Sequence, residues 1–315
     1  MIFDAHADIL TDMYNNSKKG NTNSSFRDRH LNLYKEAGIT TSIFVNYTNP
    51  LLGNEEMFED IFKVSIKEIT ENKDILKICL NIDDINDAKA SNKIGIIIGV
   101  EGLKYLKGIN HLDRLYKKGL RHLTLTWNEQ NQYGSGLGNP DGGLTESGIE
   151  LIKHAEKLGI IIDLAHSSPK TFDDILAETT KPVIISHGNC KSLCNHRRNY
   201  TDEQLLKLKV RDGVIGFCAV AAFISEDKEN QTVEYLAKHI DYAIKLIGID
   251  HVGVGLDVCY YLGNEFVTTR VKGLEQINQV SKLFQCLKNM DYSDNDLEKI
   301  KHVNFERVVQ QLYQT

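Results

Sequence analysis

Apolar residues fall along the chain in short, near-continuous runs separated by stretches with helical spacing. Eight runs have strand length: Met1–Ala5, Thr40–Val45, Ile94–Val100, His122–Thr126, Ile160–Leu164, Val183–Ser186, Val214–Phe217 and His251–Gly255. Unbroken apolar runs suit parallel strands covered on both faces, since a half-exposed strand alternates apolar and polar positions. Between the runs the spacing is helical. Thr145–Leu158 puts Ile149, Ile152 and Ala155 on one face, with Gly159 as a stop. Ser168 precedes Pro169 as an N-cap for a helix to about Ala177, and Thr201 with Gln204 forms a capping-box pattern. Thr232–Ile247 carries Leu236, Ile240, Ala243, Ile244 and Ile247 at helical spacing. Eight strands alternating with helices predict a (β/α)8 TIM barrel. After Gly273 the pattern is helical to the end, with Leu274–Leu287 as one amphipathic stretch and Ser293 capping another, so the barrel carries an extra C-terminal helical segment. An open doubly wound sheet is disfavoured because no GxGxxG follows the first strand.

No repeat, Gly/Ser linker or low-complexity tract divides the 315 residues, and the four prolines mark no boundary. One domain over 1–315 is the expectation, with Asn128–Gly143 as a long glycine-rich loop at the barrel mouth. Composition removes several classes. With 41% hydrophobic and 25% charged residues the chain is a folded globular protein. A net charge of −6 with scattered charges leaves no footprint for nucleic acid or anionic lipid. No apolar run approaches the ~20 residues of a membrane span. Polar residues begin at Asp4, so no signal peptide is expected and a cytoplasmic location is. The six cysteines lack CxxC spacing and are expected as free, mostly buried thiols.

In a barrel of this kind the chemistry sits at the C-terminal ends of the strands. Those ends read Asp4-Ala-His6-Ala-Asp8, Gly99-Val-Glu101-Gly102, Asp163-Leu-Ala-His166, Ser186-His187-Gly188 and Gly255-Leu-Asp257. His6 and Asp8, two apart, share a face in extended geometry. Imidazoles and carboxylates in this number suit zinc or a similar first-row ion, and suffice for two ions sharing a bridge. Two ions about 3.5–4 Å apart can hold a hydroxide and polarise a carbonyl, so hydrolysis is the expected chemistry. Asp163, three residues before His166, reads as a structural hydrogen-bonding group, and Asp4 as support for the ligands. His30, His111, His154, His239 and His302 read as surface or capping residues, and His196 as an exposed loop histidine. The phosphate-loop and nucleophile-elbow patterns are absent.

These strand ends, with Gly119-Leu-Arg-His-Leu-Thr-Leu-Thr126, Pro182-Val-Ile-Ile-Ser-His-Gly-Asn189, Arg197-Arg-Asn199, Ile249-Asp-His-Val-Gly-Val-Gly255 and the tail holding Asn304 and Arg307, resemble the membrane dipeptidase (renal dipeptidase, peptidase M19) family over nearly the whole chain. The resemblance implies a dizinc dipeptidase that hydrolyses a dipeptide amide with a hydroxide bridging two zinc ions. His6 and Asp8 would bind the first zinc, His166 and His187 the second, and Glu101 would bridge them. Arg198 would hold the substrate's terminal carboxylate, a task suited to its planar fork. Asp257 would carry the proton from the nucleophile to the leaving amine. Mn²⁺ or Co²⁺ also fits such a donor set, because availability as well as affinity decides loading. The expected partner is a dipeptide or similar small amide, with homodimerisation the expected assembly. Two positions depart from the family. Trp127 stands where the family has a histidine on the scissile carbonyl, and an indole donates one N–H but does not titrate. Cys259 replaces the second Asp of an Asp-Phe-Asp-Gly run. These departures keep two alternatives open: an amidohydrolase for another small amide or lactam, with Trp127 lining the substrate site, or a non-catalytic peptide- or metal-binding protein.

Overall fold

The computed structural model describes residues 1–20, 25–261 and 270–313. Each of the eight expected strands is present: β1 (Ile2–Ala7), β2 (Ile39–Tyr47), β4 (Ile94–Glu101), β5 (Leu120–Thr124), β6 (Ile161–Asp163), β7 (Ile184–Gly188), β8 (Val214–Phe217) and β9 (Val252–Val254). A ninth, β3 (Leu76–Ile78), pairs with Ile94–Ile96 of β4. With three residues and a lysine at its centre, β3 lacks the length that makes a strand readable from sequence. The order is β2-β1-β9-β8-β7-β6-β5-β4-β3, and a β2–β4 pairing closes the ring of eight: a (β/α)8 TIM barrel with β3 beside its wall. Every residue of β1 and β4 is buried, as expected of parallel strands covered on both faces; β4 is apolar as far as Glu101, whereas β1 carries the buried polar residues Asp4 and His6.

The chain packs as two compact halves. One comprises Met1–Ala7, Phe26–Ser42 and Ile185–Val308; the other comprises Asp8–Ser25, Ile43–Ile184 and the residues from Val309 onward. In the first half, β1 pairs with β9 (Asp4 opposite Val254) and β8 with β9. The C-terminal helical segment packs on these strands: the Phe305 ring stacks on Phe3 at 5.3 Å and Asn304 Nδ2 donates to the carbonyls of Ile249 and Val252. That segment is less continuous than its apolar spacing suggests. A short turn, Ile277–Gln279, precedes the helix Ser281–Lys288. In the second half β4, β5 and β6 pair in parallel register.

The helix starts follow their side chains. Thr145, Ser168, Thr201 and Thr232 each accept a backbone N–H as N-caps, and Thr201 with Gln204 completes the reciprocal capping box. Four cysteines are buried and two half-buried, all as free thiols. Among the described residues no helix is long and apolar enough to cross a membrane.

Several histidines correct the surface assignment. His30, His111, His239 and His302 are all buried. His239, on the helix Val233–Ile247, accepts the Cys190 N–H on Nδ1 and faces the Ile224 carbonyl with Nε2. Burial pushes its pKa from 6.5 down to about 4. The unfolded chain therefore protonates near pH 6.5 and the folded chain only near 4, so this contribution to stability is whole above pH 6.5 and is lost as the pH falls toward 4. The expected loss is about 3 kcal/mol across that window. Urea unfolding at a series of pH values should show it, and His239→Gln should flatten the same limb; an unchanged slope would reject the assignment.

Candidate active site

In the half containing β1 and β9, Asp4 is fully buried, and its Oδ1 accepts the N–H of Leu256 (2.8 Å) and of His6 (3.5 Å). This carboxyl ties the end of β1 to the segment after β9, supporting the backbone that presents His6. Burial raises its pKa to about 7, against the lowering effect of the two N–H groups and with a further push from Asp257. The His6 and His187 rings lie 3.9 Å apart. His187 Nδ1 is 2.9 Å from Ser186 Oγ. Ligand atoms of His6 lie within 4.8 Å of those of His187 and of Asp257. Asp257 adopts φ +50°, a left-handed conformation that is uncommon outside glycine. Cys259, in the altered position of the family run, directs its thiol to Asp257 Oδ1 at 3.3 Å.

Beneath these side chains the backbones run unusually close. A Cβ on Gly255 would stand 1.7 Å from the Ser186 carbonyl oxygen, and one on Gly216 would stand 2.1 Å from the same atom. The sequence can place only glycine there, and the strand ends below His187 and Asp257 are packed main chain on main chain.

The same half settles which neighbouring arginine is inside. Arg197 is exposed, whereas Arg198 is 4% exposed. Both terminal nitrogens of Arg198 are buried with no hydrogen-bond partner among the described residues, and its guanidinium carbon lies 5.6 Å from the Phe223 ring centre. His196 is half-buried, stacked on Phe223 at 4.5 Å, and accepts the Arg198 N–H, so it holds this loop instead of lying exposed.

In the other half Glu101 ends β4, buried, with Oε1 3.0 Å from His166 Nε2. The Nδ1 of His166 is 3.1 Å from Asn128 Oδ1, and His166 sits at φ +64°. His166 and Asp257 are thus two candidate functional residues held in left-handed backbone at strand ends, where strain commonly collects at active sites. Trp127 lies with its ring 5.9 Å from that of His166 and 5.5 Å from that of Tyr47. Asp8, half-buried after β1, and Glu101 both face Tyr47 closely enough to raise its phenol above the ordinary range, after burial itself. Asp163 is structural, accepting from Thr124 Oγ1 (2.8 Å), from the Ala165 N–H (2.9 Å) and from His122 Nε2 (3.0 Å).

Each half therefore carries buried or half-buried imidazole and carboxylate side by side, His6 and His187 with Asp257 in one, His166 with Glu101 in the other. That is the donor chemistry of a zinc-type ion, with Ser186 and Asn128 orienting two of the rings. Motif reading does not single out Asn128, Tyr47 or Glu129. Asn128 and Glu129 lie in a loop without periodicity, and only their closeness in sequence to Trp127 draws attention to them.

A family model described as membrane dipeptidase (peptidase family M19) matches residues 1–315. An uncharacterised protein in the pqqA 5′ region of Klebsiella pneumoniae is 31% identical over 250 residues, covering 76% of this chain and 90% of that one. Dipeptidase verJ of Clonostachys rogersoniana is also 31% identical, over 247 residues covering 76% of this chain but 61% of the fungal one, so the match spans less than two thirds of that relative's length. Among solved structures, a metallopeptidase from Rhodobacter sphaeroides liganded with a phosphinate mimic of L-Ala-D-Ala superposes with a TM-score of 0.88 at 22% identity over 99% of both chains, a likeness of fold.

Proposed function

The chain belongs to the membrane dipeptidase family, peptidase family M19, and from that premise we propose that it is a metal-dependent dipeptidase. The observation that carries this reading is Arg198. A guanidinium that is buried, with both terminal nitrogens unpartnered among the described residues, is costly in the free protein. It suits a ligand that brings its own carboxylate, and a dipeptide's C-terminus is one whose two oxygens match the fork.

The remaining roles follow the donor chemistry. His6 and Asp8 would hold one zinc, His166 and His187 the other, and Glu101 would bridge them. When bound, the two ions supply an activated hydroxide at neutral pH and polarise the amide carbonyl. Asp257 takes the proton released by the attacking water and delivers it to the leaving amine nitrogen, general base first and general acid second. Its backbone lies in the left-handed region, and a carboxylate oxygen lies within 4.8 Å of a ring nitrogen of His6. Trp127 cannot exchange protons; its indole packs between Tyr47 and His166 and forms an apolar wall for the substrate.

Amine release from a panel of L–L and L–D dipeptides by the zinc-loaded protein tests the reading. Turnover that disappears on chelation and returns with added zinc is expected. Two bound metals with no turnover on any dipeptide would overturn it, and efficient turnover of an amide lacking a terminal carboxylate would move the assignment to a related amidohydrolase.

A further inference from the structure

One shielded carboxylate in the half containing β4–β6 has no part in the roles above. Glu129 lies in the loop after β5, two residues beyond Trp127. Both of its carboxylate oxygens are shut off from solvent, and neither has a hydrogen-bond partner among the described residues. Burial raises the phenols of Tyr47 and Tyr105, and the nearby charge of Glu129 adds a smaller push to both. The Tyr105 hydroxyl is directed at the Gly53 carbonyl (2.8 Å) and gives Glu129 nothing. Tyr47 in turn packs against Trp127 and feels Glu101 and Asp8, so this carboxylate belongs to the same neighbourhood as the candidate ligands.

The loop holds the arrangement in place. The Glu129 carbonyl accepts the Gly136 N–H at 2.9 Å and the Asn128 carbonyl accepts the Gly138 N–H at 2.7 Å. Gln130 and Ser135 form an antiparallel bridge, and the Asn128 side chain meets His166. A desolvated carboxylate without a donor is unfavourable in the free protein, and a cation that enters beside it removes that penalty. Tyrosine and tryptophan faces nearby favour the same charge.

We propose that Glu129, with Tyr47 and Trp127, forms a subsite for a cationic group on the amino-terminal residue of the substrate. The chemistry is that of an organic ammonium or guanidinium, supplied either by the α-ammonium or by a basic side chain. This deepens the dipeptidase reading and rests on it for the word substrate. The recognition itself is tested without turnover.

The test is calorimetric binding of four probes to the zinc-loaded wild-type protein and to Glu129→Gln. The probes are L-argininamide, N-acetyl-L-argininamide, L-norleucinamide and N-acetyl-L-norleucinamide, which carry both cations, the side-chain cation alone, the α-ammonium alone and neither. Loss of a charge-assisted hydrogen bond should weaken binding about tenfold or more for probes bearing the recognised cation, and leave the doubly neutral probe unchanged. Weakening shared by argininamide and norleucinamide identifies the α-ammonium; weakening shared by the two arginine probes identifies the side chain. Glu129→Met carries the same expectation. Equal affinities of wild type and both variants for all four probes, or no binding of any cationic probe to the wild type, would overturn the proposal. A protein that binds these probes yet cleaves no dipeptide would keep the subsite and lose the enzyme reading.

Discussion

Replacing Glu101 by alanine is expected to lower dipeptide turnover by at least about a thousandfold, equivalent to some 4 kcal/mol of lost transition-state stabilisation, and to release metal. Glu101 is the last residue of β4, buried, with an oxygen 3.0 Å from the candidate ligand His166. A bridging carboxylate neutralises part of the charge of two cations and fixes both. Imidazoles alone do neither as well, because they are neutral when they bind. The alanine variant should lose zinc on dialysis, measured by mass spectrometry of the metal content, while its circular dichroism stays that of the wild type. Glu101→Gln keeps the shape and loses the charge, so it should lose most of the rate as well. A variant that retains two equivalents of zinc and the full rate would remove Glu101 from the bridge.

The second large effect concerns Arg198→Met, for which substrate binding is expected to weaken while the fold is stabilised. KM should rise about a hundredfold, because a bidentate charge-assisted contact with the substrate carboxylate is lost, while kcat changes little. At the same time the free protein should become more stable to urea by about 1 kcal/mol or more. Methionine keeps the apolar stem and removes a charge that is buried without a hydrogen-bond partner among the described residues. The Phe223 ring, 5.6 Å from the guanidinium carbon, offsets part of that charge's cost but supplies no acceptor. An unchanged KM would remove Arg198 from the carboxylate-binding role, and a less stable variant would mean that it is a structural cation. The paired readout separates binding from folding, which KM alone would not.

The barrel is legible in the sequence because parallel strands are buried on both faces and leave unbroken apolar runs, as in Ile94–Val100. The candidate ligands are legible because each such run ends abruptly in a polar group, as at His166 and His187. What the sequence leaves open has physical reasons. Arg197 and Arg198 are adjacent in a loop, where no periodicity tells inside from outside, and only the folded backbone separates the exposed one from the buried one. Glu129 lies in the same kind of segment. His239 is different, because its burial is present in the pattern. It stands three residues after Leu236 and four before Ala243, on the apolar stripe of its helix, where the spacing is a better guide than the polarity of an imidazole. The three residues of β3 are too few to show any period.

The glycines packed on the Ser186 carbonyl have a bearing on how such a protein can change. With a hypothetical Cβ on Gly255 only 1.7 Å from that oxygen, and one on Gly216 at 2.1 Å, neither position can acquire a side chain without moving a strand. Selection for a new substrate can therefore draw no variation from these two positions. Diversification is left to the loops, where Trp127 and Glu129 already differ in character from the fixed main-chain packing beneath His187 and Asp257. A mutant library aimed at altered specificity would waste its diversity on Gly216 and Gly255 and should spend it on Trp127, Glu129 and their loop.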